Sequence, residues 1–272
     1  MIVTKANIDQ FITTERAVGN IARVLGAIAK AYISPVVDDS HTNFLWCNTN
    51  KHLVVRPIIL TNGKALTVSY HPGHLHIHFE IEGSHSHEHI VLLKGNSISY
   101  LHNRVMQMLN KFGLDGDEAL KHIEYRYPEL NDINGKIVGL NKTLIDEFSS
   151  IRTEANNVLT SYIINNKFIA ELPRVWPHNF DTGIVCNLKN DITQYAGYAP
   201  ADKSVCNVPY FYNSFYKNGK QIVGSNSLEH GEWLTSDWKG AILPVNSFDT
   251  TELFLENAYA FIENSSKEFL NN

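Results

Sequence analysis

The chain has 272 residues, 43% of them hydrophobic and 19% charged, with a formal net charge of −5. That length is ample for a well-buried core, as one large domain or two smaller ones. A mildly acidic chain without a Lys/Arg cluster argues against nucleic acid, because phosphate neutralisation supplies most of that affinity.

No run of about 18 apolar residues is present, so no membrane partner is expected. The N-terminal stretch lacks the apolar core of a signal peptide. Cys47, Cys186 and Cys206 are widely spaced and form no C-x-x-C pair. They read as reduced, buried cysteines of a cytoplasmic protein.

The first periodic segment predicts a helix over Thr14–Tyr32. Ala17, Val18, Ile21, Leu25, Ile28, Ala29 and Tyr32 form one apolar stripe, with Thr14 as its cap and Pro35 beyond its end. From Asn43 to Leu93 the pattern turns strand-like. Leu53 to Val55 and Ile58 to Leu60 are apolar runs, and Asn62-Gly63 is a hairpin signal. Leu75, Ile77, Phe79 and Ile81 alternate with His74, His76 and His78, which predicts a strand with one buried and one polar face. Residues 83–88 read as a turn before a strand at Ile90–Leu93. Ser97 should cap a helix carrying Ile98, Leu101, Val105, Met108 and Phe112, with Gly113 at its C-terminal turn.

Residues 114–142 are polar and aperiodic and read as a linker. A second long helix is expected from Thr143, where Thr143 and Asp146 match a capping box, with Leu144, Phe148, Ile151, Ala155, Val158 and Tyr162 on one face. Strands are expected at Phe168–Leu172, Gly183–Leu188, Pro209–Tyr216 and Gly240–Val245. A last helix is expected over Thr250–Phe269.

The predicted class is therefore α+β, as two similar helix–antiparallel-strands–helix halves, 1–113 and 143–272. The distance from helix start to tryptophan is nearly the same for Thr14 to Trp46 and Thr143 to Trp176. Two such halves are expected to pack about a pseudo-twofold, with a ligand crevice at their seam.

Four constellations could carry chemistry. In Trp176-Pro177-His178-Asn179-Phe180-Asp181 the proline stiffens the chain. His178, Asn179 and Asp181 then offer three polar groups, and an Asp beside a His suits acid–base work. The segment Asp38 to Asn43, before Trp46, is equally polar, and His41 is its counterpart to His178. The plain alternative for that segment is a loop built on Asx and Ser/Thr turns. Together His41, His178 and Asp181 could also serve a metal-dependent hydrolase. The histidines His74, His76 and His78, followed by His85, His87 and His89, read as a solvated face with adventitious metal affinity. Finally Trp46, Trp176, Tyr210, Tyr212, Trp233 and Trp238 suit either an aromatic ligand pocket or a packed core. Gly197 to Asp202 reads as a loop able to cover such a pocket.

The segments Asp38-Asp39-Ser40-His41-Thr42-Asn43 with Trp46, Arg174-x-Trp176-Pro177-His178-x-Phe180-Asp181, Pro209-Tyr210-Phe211-Tyr212, and Gly231-x-Trp233-x-Thr235-x-x-Trp238-x-Gly240-Ala241 resemble the motifs of an uncharacterised bacterial protein family. That family is similar in turn to a bacterial domain of unknown function. The resemblance spans nearly the whole chain and implies no activity. Asn179 and Leu234 stand where the family pattern has histidines, which weighs against metal chemistry. No G-x-G-x-x-G, P-loop, G-x-S-x-G or H-E-x-x-H motif is present, so no cofactor can be named from the sequence.

The leading expectation is a small-molecule-binding protein or enzyme with an aromatic pocket centred on His178 and Asp181. A non-enzymatic interaction protein is the third alternative.

Overall fold

The computed structural model describes residues 7–83, 89–127 and 140–270. The fold is α+β, and the strands pair antiparallel throughout the described ladders. The chain forms two compact units. One comprises Thr13–Ser149 with Val175–His178 and is called N-terminal below. The other, C-terminal, comprises Ser150–Arg174 and the chain from Asn179 on, joined by the first residues through Ile12. No helix among the described residues is long and apolar enough to cross a membrane.

Helix α1 (Ile8–Tyr32) begins before the predicted start at Thr14. Thr14 and Glu15 are buried within it, and Phe11 and Ile12 extend its apolar stripe one turn backward. Asp9 supplies an acidic first turn ahead of the Thr14 start that was expected.

Strands β1 (Phe44–Cys47), β2 (His52–Val55), β3 (Ile58–Ile59), β4 (Ala65–His71), β5 (His76–Ile81) and β6 (Ile90–Leu92) follow. They pair in the order β1-β2-β4-β5-β6, with β3 beside β4. Leu53, Val55, Leu66, Val68, Tyr70, Ile77, Phe79 and Val91 are buried at alternating positions, as a half-covered antiparallel sheet requires. The Asn62-Gly63 hairpin forms, with Gly63 at φ +81 and the Asn62 Oδ1 accepting from the Lys64 N–H at 3.0 Å. His74 lies off the predicted strand. It closes a 3₁₀ turn over Pro72–His74, and Leu75 is left-handed at φ +49, so the alternating ladder starts only at His76. Residues 84–88, and with them His85 and His87, lie outside the described residues.

Helix α2 (Ile98–Lys111) matches its prediction at both ends. The Ser97 hydroxyl accepts from the Tyr100 N–H at 3.1 Å. At the C-terminus the Gly113 and Leu114 N–H groups donate to the carbonyls of Asn110 and Leu109, a Schellman closure that needs Gly113 at its φ of +79. The stretch read as a linker opens with a short helix, α3 (Gly116–Leu120), whose first N–H groups the Asp115 carboxylate accepts. Tyr127 then anchors to α1, its carbonyl accepting from Asn20 Nδ2 at 2.8 Å. The rest of that stretch, residues 128–139, lies outside the described residues.

Helix α4 (Lys142–Asn165) is capped two positions earlier than the Thr143 box implies. Asn141 Oδ1 accepts from the Thr143 N–H at 2.9 Å, the Asx geometry that outcompetes a threonine hydroxyl. The predicted strand at Phe168–Leu172 does not form. That segment has no ladder partner, and Ile169 and Leu172 are exposed. Strand β7 (Arg174–Trp176) pairs with β1 through Val175 and Phe44.

In the C-terminal unit, β8 (Asp181–Asn187), β9 (Ile192–Ala199), β10 (Tyr210–Lys217), β11 (Lys220–Ile222), β12 (Glu232–Thr235) and β13 (Lys239–Pro244) precede α5 (Thr251–Leu270). They run in the order β8-β9-β10-β13-β12, with β11 also on β10. Strand β9 occupies the start of the predicted covering loop and runs to Ala199. One sheet face packs on α5, where Phe211 meets Phe254 at 5.2 Å and Phe215 stacks on Phe269 at 3.9 Å.

A buried polar network pins α4 and α5 to this face. Gln194 Nε2 donates to Asn213 Oδ1 and Ser266 Oγ, both at 2.9 Å, and accepts from the Tyr162 hydroxyl at 3.1 Å. Asn213 Nδ2 donates to Ser265 Oγ at 2.8 Å and Ser266 Oγ at 2.9 Å. Ser265 and Ser266 donate back to helix carbonyls at 2.7 Å, so the network closes on itself.

Candidate functional site

The N-terminal unit holds a cleft of about 290 Å³, near the lower end of the ~300–1,000 Å³ usual for ligand sites. Its wall on α1 is Arg23, Gly26, Ala27 and Lys30. That i, i+3, i+4, i+7 spacing puts all four on one helical stripe. Around it stand Asp39 and Thr42 from the first polar segment, Pro177 and His178 from the second, and His122 and Glu124 from the stretch after α3. Two segments far apart in sequence thus meet at one cavity.

Turn chemistry shapes the first segment. Asp38 Oδ1 accepts from the Ser40 N–H at 3.0 Å, and hydrogen bonds from Ser40 hold Asp38 below the usual carboxylate range. Asp39 is left-handed at φ +58, a conformation Asp tolerates better than most residues. The Thr42 hydroxyl donates to the Asp39 carbonyl at 2.8 Å. From outside, Arg56 donates to the Ser40 carbonyl at 3.3 Å and to Asn43 Oδ1 at 3.2 Å. His41 points inward. It is 4% exposed, and its Nδ1 accepts from the Val36 N–H at 3.2 Å. His41 and His178 therefore do not share this cleft. His41 anchors the turn, and Asp39 and Thr42 are the groups that turn presents.

The second segment reaches the cleft because Pro177 sits on the α1 backbone. A Cβ on Gly26 would stand 2.9 Å from the Pro177 Cβ. Arg23 then ties the walls together, donating through one Nη to the Glu124 carbonyl at 2.7 Å and through the other to the His178 carbonyl. His178 is exposed, with its ring edge-on to Trp176 at 5.9 Å.

Asp181 is placed differently, in the C-terminal unit. It is 8% exposed, and its Oδ2 accepts from the Tyr212 hydroxyl at 2.5 Å. Burial, and next the Asp181 carboxylate, push the Tyr212 phenol well above its ordinary range. Gly183 and Gly197 face each other across β8 and β9, and a Cβ on either would lie 2.7 Å from the Tyr212 hydroxyl. The phenol reaches Asp181 by lying over this glycine pair. Beside it, fully buried Arg152 donates to Thr182 Oγ1 at 2.9 Å and to the Phe180 carbonyl, and lies 4.3 Å above the Phe180 ring. Those contacts hold Phe180 in its left-handed conformation at φ +57. Asn179 is exposed in the turn before it.

The aromatic residues are packing elements. Trp46 is 2% exposed and meets Phe148 edge-on at 5.9 Å. Tyr210, Tyr212 and Trp238 pack with Ala199, Ile242 and Leu234. Trp233 packs on Phe215, and its Nε1 donates to the Asn226 carbonyl at 3.0 Å. None of these rings lines the cleft described above.

The histidines form a stack. His71 and His76 are in register across β4 and β5, with ring centroids 4.5 Å apart, and His52 stacks on the other side of His71 at 4.3 Å. His74 stacks on His76 at 5.8 Å, and His78 is 6.5 Å from His71. Ser69 Oγ lies 3.0 Å from His71 Nε2. Near-parallel rings carry their nitrogens in separate planes. Among the described residues no three His, Cys, Asp or Glu side chains are grouped as a metal ion would need, whether here or around His41, His178 and Asp181.

Arg23, Lys30, His122 and Glu124 were not among the residues expected at a site. Arg23 and Lys30 flank Gly26 at helical spacing, and that flanking is the one signal that marks them in the sequence. Set against protein-family models, curated proteins and solved structures, the chain matches none.

Proposed function

We propose that the protein binds a small polar molecule in the cleft of its N-terminal unit, with His178, Asp39 and Thr42 contacting it. The observation that carries this reading is the convergence of the Asp38–Asn43 segment and of Pro177 and His178 on one cavity beside α1. In the first, side chains bond to the local backbone and shape the turn, and in the second the His178 carbonyl accepts from Arg23 of α1. The same reading treats the two segments as equivalent parts of a duplicated unit, which the antiparallel pairing of Phe44 with Val175 supports.

A thermal-shift screen of small polar metabolites tests it. Binders should stabilise the wild-type protein by mass action, and that stabilisation should be lost in His178→Ala and Thr42→Val. Hits whose effect survives both substitutions would overturn the reading.

A further inference from the structure

We infer that the molecule held in this cleft is an anion, a carboxylate or a phosphate monoester, whose acidic group lies along α1 between Arg23 and Lys30. The inference rests on the cleft being a ligand site and concerns the class of ligand.

The α1 wall has a cation at each end and no side chain beyond a methyl between them, since Gly26 and Ala27 fill the middle. Seven residues of helix separate Arg23 from Lys30 by roughly 10 Å along the axis. Pro177 covers the backbone at Gly26, so an acidic group rests on the small apolar floor of Ala27 and Pro177 and still faces a positive charge at either end.

Neither cation is neutralised. Arg23 gives its hydrogen bonds to two carbonyl oxygens, which carry no net charge. Among the described residues no ion pair joins Lys30. Burial lowers the Arg23 pKa, repulsion from Arg126 is the next influence in the same direction, and attraction to Tyr127 and Glu124 opposes it. A half-buried guanidinium whose strongest charged neighbour is another guanidinium gains from a bound anion.

Asp39 and Glu124 also line the cleft and oppose this. Both are exposed, where a charge acts through nearly bulk water, whereas Arg23 acts through a lower effective dielectric. The half-buried Arg23 therefore decides the sign, and exposed Lys30 offsets one of the two exposed acids. The two acids suit amine or hydroxyl groups on the far side of the same ligand.

The test uses four small probes at low ionic strength: succinate, glycerol 3-phosphate, 1,4-diaminobutane and glycerol. Each is titrated into isotopically labelled protein while the amide signals of Arg23 to Lys30 are followed. Succinate or glycerol 3-phosphate should move these signals, and which of the two does so separates a carboxylate from a phosphate ligand. The diamine and glycerol should leave them in place. Lys30 is exposed, so Lys30→Glu leaves the fold intact and should weaken anion binding about tenfold or more, as should about 0.5 M NaCl. Movement by the diamine or glycerol alone would overturn the anion assignment while leaving a ligand cleft. Movement by none of the four would also overturn it, and the metabolite screen would then decide separately whether the cleft binds anything.

Discussion

Pro177 packs against the α1 backbone at Gly26 so closely that a methyl group there would stand 2.9 Å from the Pro177 Cβ and 3.2 Å from its Cγ. The contact brings the His178 turn to the helix. Gly26→Ala gains up to ~1 kcal/mol of helix propensity. It also forces a rigid pyrrolidine ring to move, and overpacking of this kind costs ~1–3 kcal/mol. The clash should win. The expected result is a melting temperature a few degrees lower, together with weaker binding of any cleft ligand, although no charged group has changed. Calorimetry and titration on the same variant check both.

In the C-terminal unit the phenol of Tyr212 bridges a glycine pair to Asp181. Tyr212→Phe removes a donor from a buried carboxylate and should cost about 1–3 kcal/mol. Gly197→Ala should cost at least as much, because its methyl would clash with the Thr182 carbonyl oxygen and stand 2.7 Å from the Tyr212 hydroxyl. The double variant should be less destabilised than the sum of the two, since losing the Tyr212 hydroxyl relieves part of the Gly197→Ala clash. Urea unfolding of the three variants measures this, and strict additivity would contradict the shared contact.

The histidine stack makes stability pH-dependent. Burial, and then neighbouring His52 and His76, bring His71 down to about 3, and burial also lowers His52 and His76. An unfolded histidine takes up its proton near 6.5. Above that pH both states are neutral and the stack contributes fully. As pH falls from about 6.5 toward 3, the unfolded chain binds protons that the folded stack resists, and stability drops. Denaturant midpoints measured across this window should fall with acidity, and His71→Phe should flatten the slope. An unchanged slope in that variant would remove the stack as the cause.

The network around Gln194 and Asn213 is fully buried. Asn213→Ala removes one of the two acceptors of Gln194 Nε2 and the amide donor to Ser265 and Ser266, and each buried hydrogen bond lost costs ~0.5–1.5 kcal/mol. A loss of several kcal/mol is expected, without change in cleft binding, because the network belongs to the other unit. Chemical denaturation alongside ligand titration separates these effects.

The α+β class was legible in the sequence, and helix α2 was legible to its last residue. There the apolar stripe, the Ser97 cap and Gly113 all agree. The start of α1 was not, because Thr14 and Glu15 look like a cap yet are polar residues buried within the helix. Strand β9 was hidden because its interior carries Thr193, Gln194 and Gly197, and Gln194 is buried for its hydrogen bonds rather than its hydrophobicity. At the cleft, Asp38–Asn43 and the Trp176 segment were visible as polar clusters. Their partner was not, since no local pattern says which face of α1 a distant turn will rest on. Only the close approach at Gly26 decides that.

The most direct measurement is a crystal structure of the protein soaked with the strongest binder from the metabolite screen. Density for the ligand in the cleft, with its acidic group between Arg23 and Lys30 and a contact to His178, is the expected result. Density for a saturating binder at any other position, with the cleft holding only solvent, would contradict the account.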